Sequence, residues 1–179
     1  MQIQTFSRSL IAILLIVLAP LASAQQPVGY VLGPGDQLAI SVFGEPDLSV
    51  EFTLSDDGAL DYPFLGKIQV AGLTMPELEQ RIADGLRGDY LINPDVTVSI
   101  KQYRQFFLNG EVNRPGGYAY QPGLTLEKAL ALAGGLSPRA ARNKIVVKRA
   151  NDPSGAEVKI RMSDPVRAGD VITVPQSFF

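Results

Sequence analysis

Histidine and cysteine, which often serve enzymes as general base, nucleophile or zinc ligand, are both absent from this 179-residue chain. Catalysis by a Ser-His-Asp triad or a cysteine nucleophile is therefore excluded, and so is a histidine-bound zinc ion. The lack of cysteine also excludes disulfides and a lipid-modified N-terminal cysteine. The 18 aspartates and glutamates are the main residues left for acid–base chemistry.

The candidate acidic residues lie in turn contexts, as Glu45 with Asp47, Asp56 with Asp57, and Asp152 do. Acids in such places usually bond to the nearby backbone. A glycoside hydrolase instead needs two carboxyl groups about 5–10 Å apart in a cleft. A calcium site at Asp56 and Asp57 is disfavoured as well, because no twelve-residue loop of alternating oxygen ligands surrounds them. A polysaccharide hydrolase or lyase is kept as an alternative that predicts chain shortening in vitro.

The glycine-rich segments do not have the spacing of a phosphate-binding loop. Gly33-Pro34-Gly35-Asp36 precedes a predicted strand, whereas a P-loop follows a strand and opens a helix. Gly110-Glu111-Val112 and Gly134-Gly135-Leu136 lack the spacing too. The sequence therefore predicts neither a nucleotide site nor another cofactor.

The first 24 residues have the pattern of a Sec-type signal peptide. Arg8 supplies the positive charge, residues 10–18 are an unbroken apolar run, and Ala22 and Ala24 form a small-x-small cleavage site. The apolar run is shorter than the roughly 18–20 residues of a membrane-spanning helix. We expect cleavage after this segment, and an uncleaved N-terminal anchor is the alternative.

The charge balance argues against two classes of partner. The net charge is −2, and it becomes −3 when Arg8 is removed with the predicted signal peptide. A nucleic-acid-binding protein would show a basic patch, so no nucleic-acid partner is expected. No polybasic segment for anionic lipids is present either.

Alternating apolar residues predict the strands of the first half of the chain. Residues 37–42 and 50–54 alternate in this way. Asp56-Asp57-Gly58 predicts a hairpin turn, with residues 59–62 as the strand that pairs back. Further strands are expected near residues 67–70 and 96–101.

The clearest helix start in the chain is at Thr74. Thr74 and Glu77 form a T-x-x-E capping box. Leu78, Ile82 and Leu86 then recur every four residues, which predicts one buried face. Together with the strands, this helix gives residues 28–101 the pattern of a compact α+β domain.

The second half has the pattern of a small β-grasp fold, in which a sheet wraps across one helix. Thr125 is the expected N-cap of that helix, and Gly134-Gly135 is its expected end. Before the helix, a strand at residues 107–110 is expected to pair with residues 118–120. The later strands are expected at residues 145–148, 158–162 and 171–174.

One short pattern occurs in both halves. Residues 35–40 and 169–174 each read Gly-Asp-x-apolar-x-apolar. Glycine adopts backbone conformations that other residues resist, and aspartate can bond to the backbone that follows it. We therefore interpret Gly35-Asp36 and Gly169-Asp170 as the same kind of turn leading into a strand, with coincidence as the alternative.

Several aromatic residues cluster near the start of the second half. Core packing is favoured for them over sugar stacking, but the Tyr103-Arg104 pair is the one most expected to be exposed, for glycan or subunit contact. Phe178 and Phe179 are expected to dock onto a core or a neighbouring subunit. The cluster consists of Tyr103, Phe106, Phe107, Tyr118 and Tyr120.

Taken in order, these segments resemble the outer-membrane polysaccharide export (OPX) family. The resemblance covers about residues 28–179 and implies an α+β fold with an export domain at 25–102 and an SLBB (soluble-ligand-binding β-grasp) domain at 103–179. The matching segments include YVLGPGDQLAISVFGEPDLS, DGALDYPFLGKIQVAGLT, LNGEVNRPGGYAY and AGDVITVPQSFF. The matching positions are fold-defining in the family: Gly33, Pro34, Gly35, Asp36, Asp57, Gly58, Gly110, Glu111, Pro115, Gly116, Gly134, Gly135, Gly169, Asp170 and Pro175.

The chain departs from the long members of that family, which carry a lipidated cysteine and a C-terminal amphipathic pore helix. It resembles the short members found in xanthan-type gum export. The resemblance implies a non-enzymatic, periplasmic component of exopolysaccharide or capsule export that is associated with the outer membrane. Its implied partners are polysaccharide, an inner-membrane co-polymerase of the chain-length or tyrosine-kinase type, an outer-membrane component, and further copies of itself in a ring. A periplasmic carbohydrate-binding module without a transport role is the alternative.

Overall fold

The computed structural model describes residues 29–177. The predicted signal peptide with Ala22 and Ala24, as well as Phe178 and Phe179, lies outside the described residues. The fold is α+β, with two α-helices and ten strands in the described range. The strands are β1 Gln37–Val42, β2 Val50–Thr53, β3 Ala59–Tyr62, β4 Gly66–Gln69, β5 Val96–Gln102, β6 Phe106–Gly110, β7 Gly116–Tyr118, β8 Val146–Lys148, β9 Glu157–Lys159 and β10 Val171–Val174; the helices are α1 Met75–Leu86 and α2 Leu126–Leu132.

An antiparallel three-stranded sheet with the order β2-β1-β5 organises the first half. Leu38, Ile40 and Val42 of β1 are buried, while alternate residues face outward, as the period of two predicts. In register, Leu38 lies opposite Phe52 of β2 and Ile100 of β5. The central strand therefore places its apolar face on the core.

The predicted hairpin at Asp56-Asp57-Gly58 is wrong, because residues 50–54 and 59–62 do not pair with each other. Strand β3 pairs with β4, as Leu60 opposite Ile68 shows, whereas β2 pairs with β1. The turn at 56–58 instead leads the chain from one sheet to another, and Gly58 accepts bonds through its carbonyl oxygen from the amides of Val70 and Ala71. The actual hairpin turn lies between Tyr62 and Gly66.

Helix α1 begins and packs as its sequence predicts. The Glu77 carboxylate accepts bonds from the backbone N–H of Thr74 at 2.7 Å and from its hydroxyl at 2.8 Å. Leu78, Ile82 and Leu86 are fully buried in the first core. The helix is also tied to β5, because Glu79 Oε1 accepts a bond from the N–H of Val98 at 2.8 Å.

The second half contains a five-stranded sheet with the order β7-β6-β10-β8-β9. Strands β6 and β10, which are far apart in sequence, run parallel in its centre, with Leu108 opposite Ile172. Leu126, Ala129 and Leu130 of α2 share one buried core with the inward face of this sheet. This arrangement confirms the predicted β-grasp order of a hairpin, a helix and then further strands.

The two halves have separate cores. Every buried member of the first core comes from residues 32–98, and every one of the second from residues 106–174. We therefore call residues 29–102 the first module and residues 103–177 the second module. The domain boundary at 102/103 itself stays a prediction. Between residues 29 and 177, no helix combines the length and apolar character needed to cross a membrane.

Candidate functional site at the junction of the two modules

A buried carboxylate lies where the two modules meet. The Asp36 side chain has no exposed surface, and its Oδ1 accepts bonds from the Tyr30 hydroxyl at 2.7 Å and the Arg104 N–H at 2.8 Å. Its Oδ2 accepts from the Gly33 N–H at 2.9 Å and from Arg104 Nη1 at 2.8 Å. Four donors thus satisfy this charge, which is what a buried carboxylate requires.

Arg104 lies in the short segment between β5 and β6 and points back into the first module. Its guanidinium carbon lies 5.5 Å from the centre of the Tyr30 ring. Only 11% of its side chain is exposed, so the prediction that Tyr103 and Arg104 are the most exposed pair is wrong. Arg104 is buried because its guanidinium pairs with Asp36, a buried aspartate 68 positions earlier in the chain.

Asp170 of the second module repeats the geometry of Asp36. Its Oδ2 accepts bonds from the N–H of Arg167 at 2.8 Å and from Arg149 Nη1 at 2.6 Å. In both turns the carboxylate bonds to the amide three residues earlier, and the preceding glycine has a positive φ, 89° at Gly35 and 80° at Gly169. The repeated Gly-Asp pattern is therefore a shared turn, as predicted, although the aspartate bonds backward rather than forward.

Both turns pack closely against Arg104. A Cβ atom at Gly33 would lie 2.5 Å from Arg104 Nη1, and one at Gly169 would lie 2.9 Å from Arg104 Nε. The same Cβ at Gly169 would lie 2.7 Å from Cβ of Ala150. Glycine is needed at both positions because the guanidinium occupies the space that a side chain would take.

Three tyrosines, Tyr30, Tyr103 and Tyr120, surround this ion pair. The Tyr103 ring meets the other two edge-on, with centroids 4.9 Å from Tyr30 and 5.4 Å from Tyr120. Burial and the hydrogen bond to Asp36 raise the pKa of Tyr30 far above its ordinary value. Its hydroxyl therefore stays protonated and donates to Asp36 at any physiological pH.

A cavity of about 500 Å³ opens beside these tyrosines, and we call it the junction cleft. It is lined by residues of both modules, and its charged lining residues are Arg104, Arg149, Arg167 and Asp170. A second depression of about 600 Å³ lies against Gly33, Pro34, Gly169 and Arg104. Arg104 thus borders both.

Comparison with known families identifies both modules. The family of polysaccharide biosynthesis/export proteins matches residues 24–101, and the SLBB domain matches residues 105–160. The first module therefore belongs to the polysaccharide export family. We therefore call the first module the export module and the second module the SLBB module.

Individual relatives are named for the production, export or transport of polysaccharides. Exopolysaccharide production protein ExoF of Rhizobium meliloti is 36% identical over 91 residues, covering 50% of this chain and 22% of that protein. EPS I polysaccharide export outer membrane protein EpsA of Ralstonia nicotianae is 29% identical, covering 88% and 49%. Polysialic acid transport protein KpsD of Escherichia coli is 29% identical, covering 68% and 22%. The chain therefore spans half or less of the length of these relatives.

The remaining motif residues of the export module stabilise its turns. Asp57 accepts bonds from Lys67 at 2.6 Å, from the Ser55 hydroxyl at 2.6 Å and from the Ala59 N–H at 3.1 Å. These donors, Lys67 foremost, lower the pKa of Asp57 far below its ordinary value. Gly58 follows with a positive φ of 70° and is buried. Both positions shape the crossing between sheets.

The SLBB motif residues hold the centre of its sheet and the end of α2. At Gly110 a Cβ would lie 2.1 Å from the carbonyl oxygen of Val174. Glu111 forms an ion pair with Arg139 at 3.5 Å and accepts a bond from the Ser137 hydroxyl. Pro175 accepts a bond through its carbonyl oxygen from Ala141 at 2.8 Å.

Helix α2 ends at the predicted glycine pair. The Asn113 side chain donates to the carbonyl oxygen of Gly134 at 2.6 Å, and its N–H donates to that of Gly135 at 3.1 Å. Pro115 and Gly116 follow and lead into β7. These bonds hold the turn just beyond the helix, and Arg114 satisfies carbonyls at the helix end by donating to Leu132 at 2.9 Å and to Ala133 at 3.0 Å.

Sequence reasoning missed the roles of Tyr30, Arg149 and Arg167 at the junction. Their partners are distant, since Arg149 pairs with Asp170 across 21 positions. The one available signal was the repeated Gly-Asp pattern, because an aspartate that must be buried needs a cation nearby. Within residues 29–177, no group of three or more metal-ligating side chains comes together.

Proposed function

We propose that this protein is a periplasmic, outer-membrane-associated component of a bacterial exopolysaccharide or capsule export apparatus, and that it acts as a conduit. The single observation that supports this most is the ordered pair of an export module and an SLBB module, matched over residues 24–101 and 105–160. The buried Asp36–Arg104 pair at their junction joins the two modules.

A conduit works by shape and weak contacts rather than by chemistry. A path for a polymer should be polar and wet, because tight binding would stall transport. The export family is not an enzyme family, and a chain without histidine and cysteine has few groups for catalysis. We infer that the protein is not an enzyme and that polymer synthesis or a partner supplies the driving force.

The proposed partners are an inner-membrane polysaccharide co-polymerase of the chain-length or tyrosine-kinase type and an outer-membrane component. The first would deliver the polymer at the periplasmic face of the inner membrane. The second would complete the path across the outer membrane. Co-purification from crosslinked cells measures both contacts, and recovery of the protein alone would contradict them.

We further propose that identical copies close into a ring by head-to-tail contacts. The export module offers exposed apolar side chains for such contacts: Phe64 is 65% exposed and Ile92 is 86% exposed. The Phe64 ring lies 5.2 Å from that of Tyr90, and Phe64 has a positive φ of 65°. Side chains of this kind are typical of protein contact surfaces.

Light scattering and electron microscopy of the purified protein test the ring. The double variant Phe64→Asn, Ile92→Ser should reduce the assembled mass, and asparagine suits the left-handed backbone at position 64. Val158→Ser, which removes a 52% exposed side chain from the SLBB module, is the matched control. A wild-type protein that is monomeric at every concentration, alone and with the co-polymerase, would contradict the ring.

A clean deletion tests the export role. Cells without the protein should make the polymer but retain it inside, and a plasmid copy should restore secretion. A carbohydrate-binding module without a transport role, which the junction cleft would also suit, predicts instead that secretion is unaffected. Normal secretion in the deletion strain would therefore overturn the proposed function.

A further inference from the structure

The junction cleft has the size and aromatic lining of a small-ligand site. Its volume of about 500 Å³ falls within the range of roughly 300–1,000 Å³ that is common for such sites. The rings of Tyr30 and Tyr120 lie 22° from parallel, and the Tyr103 ring is edge-on to both. A tyrosine offers an apolar face and a polar hydroxyl, and a sugar ring has the same two-sided character.

The charges of the cleft favour an anionic group. Arg104 and Arg149 are neutralised by the buried Asp36 and Asp170. Arg167 is exposed, lines the cleft, and forms no ion pair with any residue in the described range. The cleft therefore carries one net positive charge in a chain whose net charge is −2.

A buried acceptor at the cleft lacks a donor. Asp170 lines the cleft and its side chain is 1% exposed, yet its Oδ1 has no hydrogen-bond donor among residues 29–177. A buried carboxylate oxygen without a donor is costly. A hydroxyl group brought into the cleft is the kind of donor that would relieve this cost.

We propose that the junction cleft binds a short segment of acidic polysaccharide. A sugar ring packs against the tyrosines, its carboxylate pairs with Arg167, and a hydroxyl donates towards Asp170. This proposal rests on the export function and adds to it a defined contact between the protein and its polymer. Since both modules line the cleft, an occupied cleft also holds them in their present arrangement.

Calorimetric titration of the purified protein tests this assignment. The two probes are tetragalacturonate, which is acidic, and cellotetraose, which is neutral. The acidic probe should bind at least tenfold more tightly than the neutral one, and its affinity should fall as salt is added. Arg167→Gln should lower the affinity for the acidic probe at least fivefold. Arg161→Gln, which removes an arginine that is 81% exposed and lies outside the cleft lining, is the matched control and should change nothing.

Tyr103→Ala should lower the affinity for both probes, because it removes contact with the tyrosine ring and leaves the charge of the cleft unchanged. The fold of each variant is checked by circular dichroism, and Arg167→Gln keeps the test decisive if Tyr103→Ala does not fold. Equal affinity for the two probes, no binding of tetragalacturonate, or equal effects of Arg167→Gln and Arg161→Gln would each overturn the cleft assignment.

The deletion strain separates this inference from the export function itself. If polymer accumulates inside the deletion strain but tetragalacturonate does not bind the protein, the export role stands and the cleft assignment falls. If secretion is normal without the protein, the export role falls, whatever the titration gives. Binding together with trapped polymer supports both.

Discussion

Asp36 with Arg104 and Asp170 with Arg149 are more deeply buried than the other ion pairs among residues 29–177. The first pair is the more buried of the two. Its side chains are 0% and 11% exposed, whereas those of Asp164 and Arg161 are 24% and 81% exposed. An exposed pair contributes about 0–1 kcal/mol, because water and salt screen it. Removing one partner of a buried pair is far more costly, because the remaining charge stays in a poorly solvated place.

The first prediction compares these two arginines. Arg104→Met should lower the free energy of unfolding by about 3–5 kcal/mol, since Asp36 loses the guanidinium, its cationic partner and one of its four donors, and stays buried. The control Arg161→Met should cost less than about 1 kcal/mol. Urea unfolding followed by circular dichroism measures both, and similar losses in the two variants would show that the junction pair is not a buried charge.

The second prediction concerns Gly110 and uses Gly123 as its matched control. Both glycines have a positive φ, 83° and 80°, so alanine at either should cost about 1–2 kcal/mol in backbone strain. At Gly110 the new Cβ would also lie 2.1 Å from the carbonyl oxygen of Val174, whereas nothing lies within 4 Å at Gly123. Gly110→Ala should therefore lose at least about 3 kcal/mol in urea unfolding, because β6 and β10 must separate. Equal losses would contradict this close approach of the two strands.

At the scale of elements, the start of α1 has its own pH dependence. The N–H of Thr74, and then its hydroxyl, donate to Glu77 and lower its pKa below the ordinary value of 4.5. A lowered pKa in the folded state means that the unfolded chain takes up the proton first. The contribution of this cap is therefore complete above about pH 4.5 and is lost as the pH falls through the folded-state pKa.

The third prediction follows from the lowered pKa of Glu77 in the folded state. Glu77→Gln should be less stable than the wild type at pH 7, and the difference should shrink as the pH falls below 4.5, because protonated glutamate then resembles glutamine. Glu127→Gln in the first turn of α2, where no side-chain bond to Glu127 is found in the described residues, is the control. A difference for Glu77→Gln that is constant from pH 7 to pH 3 would show that the capping bond carries no charge effect.

The elements themselves were largely predictable because their signals are local. A period of two marks β1 and β5, and a period of four with a capping box marks α1. The pairing of strands was less predictable, because Asp56-Asp57-Gly58 has the composition of a hairpin turn but joins strands of different sheets. A turn sequence specifies the local backbone, and the partner of a strand depends on packing far from the turn.

The junction site was predictable only in part, for the same reason. The Gly-Asp pattern identified two related turns, and their geometry is shared. Nothing near Asp36 in the sequence indicates Arg104, which lies 68 positions away. The expectation of an exposed Arg104 failed because the burial of a charged side chain depends on a distant partner.

At the scale of the whole molecule, the two modules have separate cores and meet through a small set of side chains. Tyr120 belongs to the SLBB module, but its ring lies 6.5 Å from that of Tyr30 in the export module. Tyr118, two residues earlier, packs instead on Phe106 of its own module at 5.9 Å. Tyr120 therefore makes a contact between the two modules, whereas Tyr118 makes one within the SLBB module.

The fourth prediction uses this pair to measure how the modules are coupled. Tyr120→Ala should raise the hydrogen-exchange rates of amides in the export module, including the Gly33 amide that donates to Asp36, because Tyr30 loses packing and Asp36 becomes less shielded. Tyr118→Ala should raise exchange only within the SLBB module. If Tyr120→Ala also left the export module unchanged, the contact between Tyr120 and Tyr30 would not transmit stability across the junction. The expected result would mean that a change at the cleft alters the stability of both modules, as the proposed role as a conduit requires.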